Sequence, residues 1–190
     1  MNIANKLTIF RICLIPFFVV ILLIPELSFG MDFLGVRLNL WLAEFIFVIA
    51  SLTDMFDGML ARKYNLVTDF GKFMDPLADK LLVCSAIICF IEMSLLPSWI
   101  VLIIVSREFI ISGFRLIASN KGVVIAASWW GKYKTISQIV MIILLIVNFN
   151  NLVFDIAEFV FIYLSLVLTI VSLIDYMVKN KNVLKEGMKG

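Results

Sequence analysis

Long apolar runs recur through almost the whole chain, and they restrict the fold more than any other feature of the sequence. A transmembrane helix needs roughly 20 mainly apolar residues. Six runs near that length extend from about Leu7 to Ile24, Leu38 to Ala61, Asp75 to Leu95, Pro97 to Ser119, Tyr133 to Val147 and Phe154 to Met177. Because 63% of the 190 residues are hydrophobic, too few polar side chains remain to cover a soluble globule. The sequence therefore predicts an all-α, polytopic membrane protein with six transmembrane helices.

The segments that connect these runs differ in charge. Basic residues concentrate before the first run, around the second and fourth connections and after the last run, whereas the other three connections are acidic and contain only Arg37 as a cation. Cytoplasmic segments of membrane proteins carry the excess of lysine and arginine. We therefore expect a multi-pass protein of the cell membrane with both termini, and the second connection, on the cytoplasmic side.

Composition narrows the possible chemistry. The chain has no histidine, which excludes imidazole catalysis and histidine-bound zinc, and its three cysteines lie in apolar runs without metal-like spacing. No internal repeat is visible and the connections are too short for a second domain, so residues 1–190 are predicted to form one domain. Residues 1–8, which mix polar and apolar types, are expected to form a short amphipathic segment at the membrane surface.

An acidic cluster interrupts the apolar sequence between the second and third runs. Asp54 and Asp57 are three residues apart, and Asp75 and Asp79 are four apart, so each pair shares one face if both flanks are helical. Four carboxylates converging in a medium of low dielectric would repel one another unless a cation lay among them. Oxygen ligands of this kind suit Mg²⁺ or Mn²⁺. The alternative, that the aspartates only solvate a loop, does not account for the paired spacing.

The cluster follows the pattern D-x2-D-G-x2-A-R-x8-G-x3-D-x3-D, which resembles the signature of the CDP-alcohol phosphatidyltransferases at every defined position. The resemblance implies transfer of a phosphatidyl group from CDP-diacylglycerol to an alcohol with release of CMP, in a homodimer of six-helix protomers with a polar, metal-containing cavity open to the cytoplasm. It implies about two metal ions per protomer, held by Asp54, Asp57, Asp75 and Asp79, with Asp79 also acting as the base. Binding of CDP-diacylglycerol is expected from Asn5, Thr8, Gly58, Ala61, Arg62, Thr68 and Gly71.

Members of this family commonly carry Asn-x-x-Thr-x-x-Arg near the N-terminus, and Asn5, Thr8 and Arg11 match that pattern. The alternative interpretation is that Lys6 and Arg11 are juxtamembrane anchors for anionic lipid.

A second polar group lies in the fourth and fifth runs. Arg107 and Arg115 are eight residues apart, close to two helical turns, and G-K-Y-K-T opens the fifth run. Together they predict a cationic site for a phosphate-bearing acceptor, formed by Arg107, Arg115, Lys132, Lys134 and Thr135. R-E-F at residues 107–109 and G-K-Y-K-T resemble the family branch that uses sn-glycerol 3-phosphate. The alternative is an Arg107–Glu108 pair that locks the helices, with lysines extending toward the surface.

Other functions remain open from the sequence. Synthases of phosphatidylserine, phosphatidylinositol and cardiolipin share the aspartate signature, so spacing alone does not exclude another acceptor. A divalent-cation transporter would use the aspartates as a transit site, although such proteins usually show interrupted helices in both halves of the chain and this sequence shows one acidic cluster. No interaction with nucleic acid is predicted.

Overall fold

The computed structural model describes residues 3–63, 69–120 and 128–181, with side chains described for 6–53, 74, 77, 78, 80–116, 118 and 128–181. Within these ranges the chain is mostly helical. The helices are α1 (Ile3–Leu23), α2 (Leu38–Lys63), α3 (Asp69–Glu92), α4 (Ser98–Asn120), α5 (Trp129–Val147) and α6 (Leu152–Lys179). A 3₁₀ turn (Pro25–Ser28) and two short strands, β1 (Asp32–Phe33) and β2 (Val36–Arg37), connect α1 to α2.

Each predicted apolar run coincides with one of these helices, which confirms the prediction of a helical membrane protein. In the described part of the chain, three helical segments are long and apolar enough to cross a membrane: Lys6–Leu23, Trp129–Val147 and Leu152–Lys179. A shorter apolar segment, Leu38–Thr53, forms the first part of α2. The side chains of α2 after Thr53 and of much of the first half of α3 lie outside the described residues. The number of spans therefore stays a prediction.

The chain forms two compact units, the first comprising Met1–Leu96 and Ile142–Asp155. In this unit α1 packs against α2 and α3. One face of α1 is buried, with side chains that recur every three or four residues as a helical face requires: Thr8, Arg11, Ile15, Phe18 and Leu22. Phe18 contacts Phe47 of α2 with ring centroids 5.9 Å apart. The face that includes Arg11 is therefore directed into the unit.

A tight hairpin precedes α2. Asp32 pairs with Arg37 and Phe33 with Val36, which leaves Leu34 and Gly35 as the two turn residues. Both have positive φ, 53° and 78°, as the twist of a two-residue hairpin favours. The indole Nε1 of Trp41 donates to the carbonyl of Phe33 at 3.0 Å and so joins the hairpin to the first turns of α2.

The second unit comprises Pro97–Met141 and Ile156–Gly190 and contains most of α4, α5 and α6. Its interior is unusually polar. Ser165, Thr169, Ser172 and Tyr176 lie at intervals of four, three and four residues along α6 and are all buried. The Ser165 hydroxyl donates to the hydroxyl of Ser137 on α5 at 3.2 Å. The prediction of one domain over residues 1–190 stays a prediction.

Candidate active site

The acidic motif lies on two helices, as its spacing predicts. Asp54 and Asp57 are in the last turns of α2, and Asp75 and Asp79 follow the first turn of α3. Gly58, Ala61 and Arg62 are also in α2, and Gly71 is in α3. Thr68 lies outside the described residues, as do the side chains of the four aspartates, Arg62 and Asn5. The metal site and the CDP-diacylglycerol site therefore stay predictions. The backbone that carries their residues is helical, as the spacing of the motif requires.

The residue types at this position fit a divalent metal. Two carboxylate pairs at helical spacing stand on helices that are separated by only residues 64–68. An all-oxygen donor set without histidine or thiolate suits Mg²⁺ or Mn²⁺ rather than zinc. Among the side chains that the structure describes, no other group of three acidic or cysteine residues could hold a metal ion.

Helix α1 directs two polar side chains into the same unit. Thr8 and Arg11 are both fully buried, and each takes part in a polar or electrostatic interaction. Lys6, by contrast, is exposed. A lipid anchor must reach the membrane surface, so the interpretation of Arg11 as such an anchor is wrong, whereas Lys6 remains compatible with it. Arg11 was absent from the predicted donor residues, although its spacing of three from Thr8 indicates the same helical face.

A buried ionic cluster joins the three helices of the second unit. The Glu108 carboxylate accepts hydrogen bonds from Lys134 Nζ and, at 3.1 Å, from Arg107 Nη1. Arg107 Nη2 donates to Ser172 Oγ at 2.5 Å. The side chains of Lys134, Arg107 and Glu108 are only 3%, 10% and 10% exposed. This cluster, hereafter the Glu108 cluster, connects α4 to α5 and α6 and keeps one net positive charge.

Gly131, in the first turn of α5, lies beside this cluster. A Cβ atom added there would be in ordinary van der Waals contact with Ser128 Oγ at 3.6 Å, Arg107 Nη2 at 3.7 Å and Ser172 Oγ at 3.8 Å.

The other predicted acceptor residues are arranged differently. Lys132 is exposed, with Nζ 4.2 Å from the centroid of the Trp129 ring, and the exposed Thr135 donates to the carbonyl of Gly131 at 3.0 Å. Arg115 is exposed near the end of α4. The structure thus brings Arg107 and Lys134 together and places Lys132 and Thr135 outside the Glu108 cluster. The predicted Arg107–Glu108 pair is present, and Lys134 extends it into a network.

Residues of α6 were missed by the sequence reasoning. Ser172 binds Arg107, and Tyr176, one turn later, is buried with its ring against Phe114 of α4. The available signal was the regular spacing of four hydroxyl-bearing residues within an otherwise apolar helix. Such residues on one face of a transmembrane helix indicate a polar interior partner.

Long apolar helices together with helix-borne carboxylate pairs define a helical membrane protein with a candidate divalent-metal site. A family model of the CDP-alcohol phosphatidyltransferases matches residues 1–171. The chain therefore belongs to the CDP-alcohol phosphatidyltransferase family, and the resemblance read from the aspartate signature is confirmed.

Similar proteins extend the match over nearly the full length. The chain is 43% identical to a protein of Bacillus subtilis (strain 168) named CDP-diacylglycerol--glycerol-3-phosphate 3-phosphatidyltransferase, covering 97% of both chains. It is 38% identical to a protein of the same name from Haemophilus influenzae, covering 99% of this chain and 98% of the relative. A probable phosphatidylglycerophosphate synthase of Mycobacterium tuberculosis is 36% identical, over 94% of this chain and 81% of the relative.

Proposed function

We propose that the protein transfers the phosphatidyl group of CDP-diacylglycerol to sn-glycerol 3-phosphate, forming phosphatidylglycerophosphate and CMP. The observation that carries this proposal is the full-length similarity to proteins named for that reaction, at 36 to 43% identity. The aspartate signature supports the reaction class, and the Glu108 cluster supports an anionic acceptor because buried cations need negative partners.

The donor half of the proposed site is the acidic motif. Two Mg²⁺ or Mn²⁺ ions would be held by Asp54, Asp57, Asp75 and Asp79. When bound, such ions neutralise the negative charge on the pyrophosphate oxygens. The small side chains at Gly58, Ala61 and Gly71 leave room for the nucleotide. Asn5, Thr8, Arg62 and Thr68 would bind the remainder of the CDP moiety, and Arg62 offers the planar guanidinium that suits phosphate.

The proposed chemistry is one substitution at phosphorus. The acceptor hydroxyl oxygen forms a bond to the phosphorus that carries diacylglycerol, and the bond from that phosphorus to the CMP oxygen breaks. CMP leaves with the electron pair, and Asp79 takes the hydroxyl proton. A carboxylate beside metal ions is a weak base, so its contribution comes mainly from its position.

The acceptor half is assigned to Arg107, Arg115, Lys132, Lys134 and Thr135. Arg107 and Lys134 are the best supported of these, since both are buried cations held at one carboxylate. Their combined charge exceeds that of Glu108, and a phosphate group would offset the excess. Serine and inositol carry no phosphomonoester and would leave this charge uncompensated.

The function is tested by CMP release from CDP-diacylglycerol with purified protein in detergent and Mg²⁺. We expect release with sn-glycerol 3-phosphate and little with serine, inositol or phosphatidylglycerol, and a reaction without acceptor provides the background. Equal or faster release with one of the other acceptors would assign the chain to a sibling activity. Absence of CMP release, together with Mn²⁺ uptake into proteoliposomes, would support a transporter instead.

We also propose six spans with both termini and the active site on the cytoplasmic side. The test is labelling by a membrane-impermeant maleimide in a background where Cys13, Cys84 and Cys89 are replaced by serine. Lys72→Cys should react only after permeabilisation, whereas Asp32→Cys, on the exposed hairpin, should react in intact cells. The reverse pattern would invert the topology. The homodimer implied by the family stays a prediction, and the molar mass in detergent is its measurement.

A further inference from the structure

The connection between α1 and α2 exposes large apolar side chains. Ile24, Phe29, Met31, Phe33 and Leu34 are 41 to 77% exposed, whereas turns are ordinarily built from glycine, proline and small polar residues. Phe29 and Leu34 also have positive φ, 51° and 53°, a conformation that is uncommon outside glycine and that asparagine and aspartate adopt more readily. Large apolar residues at such positions indicate a surface that meets an apolar partner.

This connection begins where a membrane-spanning segment ends. The apolar segment Lys6–Leu23 has 18 residues, which extend about 27 Å as an α-helix. The hydrocarbon core of a bilayer is about 30 Å thick. Ile24 and the 3₁₀ turn that follows it therefore lie near the boundary between the hydrocarbon and the lipid headgroups.

A row of aromatic rings in the first unit holds the hairpin at this level. Phe33 packs edge-on against Trp41 with centroids 6.0 Å apart, and Trp41 packs in the same way against Phe149 at 6.0 Å. Phe149 contacts Phe154 at 4.7 Å. Phe149 comes two residues after the end of α5, and Phe154 is in the first turn of α6. Because α5 and α6 are long enough to span a bilayer, these contacts join the hairpin to two further span ends.

The hairpin separates charged from apolar side chains. Residues paired across two strands share a face of the ribbon, so Asp32 and Arg37 lie on one face and Phe33 and Val36 on the other. Leu34 is in the turn, outside both pairs. A charged face beside an apolar tip fits a membrane surface, where one side meets water and the other meets acyl chains.

We propose that residues 24–37 form an interfacial anchor, which inserts Phe29, Met31 and Leu34 among the acyl chains of the leaflet opposite the acidic motif. Asp54 lies about 24 Å along α2 from Leu38, so the hairpin and the motif stand at opposite ends of this helix. The partner is the lipid of the bilayer itself. The tip of a hairpin is convex, which suits a fluid partner that needs no complementary surface. The anchor fixes the depth of α1 and α2 in the membrane, whichever reaction the protein catalyses.

Fluorescence quenching of single-cysteine variants tests this inference. The native cysteines Cys13, Cys84 and Cys89 are replaced by serine, and the environment-sensitive fluorophore NBD is attached in detergent to Leu34→Cys or to Asp32→Cys. The protein is then placed in nanodiscs of phosphatidylcholine and phosphatidylglycerol, which leave both membrane faces accessible. We expect spin-labelled phosphatidylcholine to quench the fluorophore strongly at Leu34→Cys and weakly at Asp32→Cys. Because a hydrated anion is excluded from hydrocarbon, iodide should quench Leu34→Cys about tenfold less than Asp32→Cys.

A charge at the tip provides a second measurement. In Leu34→Asp the tip should leave the lipid, because a charged side chain is costly among acyl chains. NBD at Met31→Cys in that background should lose most of its quenching by spin-labelled lipid and become accessible to iodide. Leu34→Met is the matched control, since it keeps an apolar side chain and should retain the lipid quenching. Helical content and unfolding temperature in detergent verify that both variants are folded.

The outcomes are distinct. Equal iodide quenching at Leu34→Cys and Asp32→Cys, without quenching by spin-labelled lipid, would overturn the inference. Protection of Leu34→Cys from iodide only in nanodiscs that hold two copies of the chain would assign the patch to a contact between copies and would also overturn it. Neither result bears on the proposed reaction, which is measured separately by CMP release.

Discussion

Asp79→Asn is expected to lower kcat by roughly 10²- to 10⁴-fold, the contribution of a positioned general base, with a further loss from the missing metal ligand. Asparagine keeps the shape of the side chain but does not accept the proton. Binding of CDP-diacylglycerol should persist, since the other proposed metal ligands and the proposed phosphate-binding residues remain. The measurement is CMP release at saturating concentrations of both substrates.

The control for this variant is Asp69→Asn, at the start of α3 but outside the signature. It should retain nearly full activity. Excess EDTA should abolish turnover of the wild type, and added Mg²⁺ or Mn²⁺ should restore it. Activity that persists in EDTA, or an Asp79→Asn variant as active as Asp69→Asn, would contradict the two-metal site and the role of Asp79.

Glu108→Gln is expected to destabilise the protein by about 3–5 kcal/mol, because it leaves the buried Arg107 and Lys134 without their common carboxylate. Glutamine has nearly the same shape as glutamate, so the loss of stability would come from the missing negative charge and not from a cavity. Thermal or denaturant unfolding in detergent measures it. Glu92→Gln, at an exposed residue that ends α3, is the matched control and should change stability by no more than about 0.5 kcal/mol.

A double variant makes this prediction specific. Adding Lys134→Met to Glu108→Gln removes one of the two uncompensated cations and should recover part of the lost stability, a non-additive result expected for contacting residues. If Glu108→Gln behaved like Glu92→Gln, the Glu108 cluster would not be a structural element of the second unit.

Local patterns were sufficient for much of the fold. The positions of the helices follow from runs of apolar residues, since each run near the span length must satisfy its own backbone hydrogen bonds in a membrane. The spacing of Asp54, Asp57, Asp75 and Asp79 needed only helical periodicity to be interpreted. The Arg107–Glu108 pair was one of the two interpretations that the sequence left open, since charges inside an apolar run must pair or face water.

What the sequence by itself determined is therefore the helical membrane class, the acidic signature and, through that signature, the family. The tertiary structure decided that Lys134 reaches Glu108 across 26 residues and that Ser172 reaches Arg107 across 65. It also decided that Arg11 is buried and that Tyr176 of α6 packs against Phe114 of α4. Periodicity specifies a face of each helix but not which helix that face meets, and a charge inside the protein acquires its role only from the groups that packing brings against it.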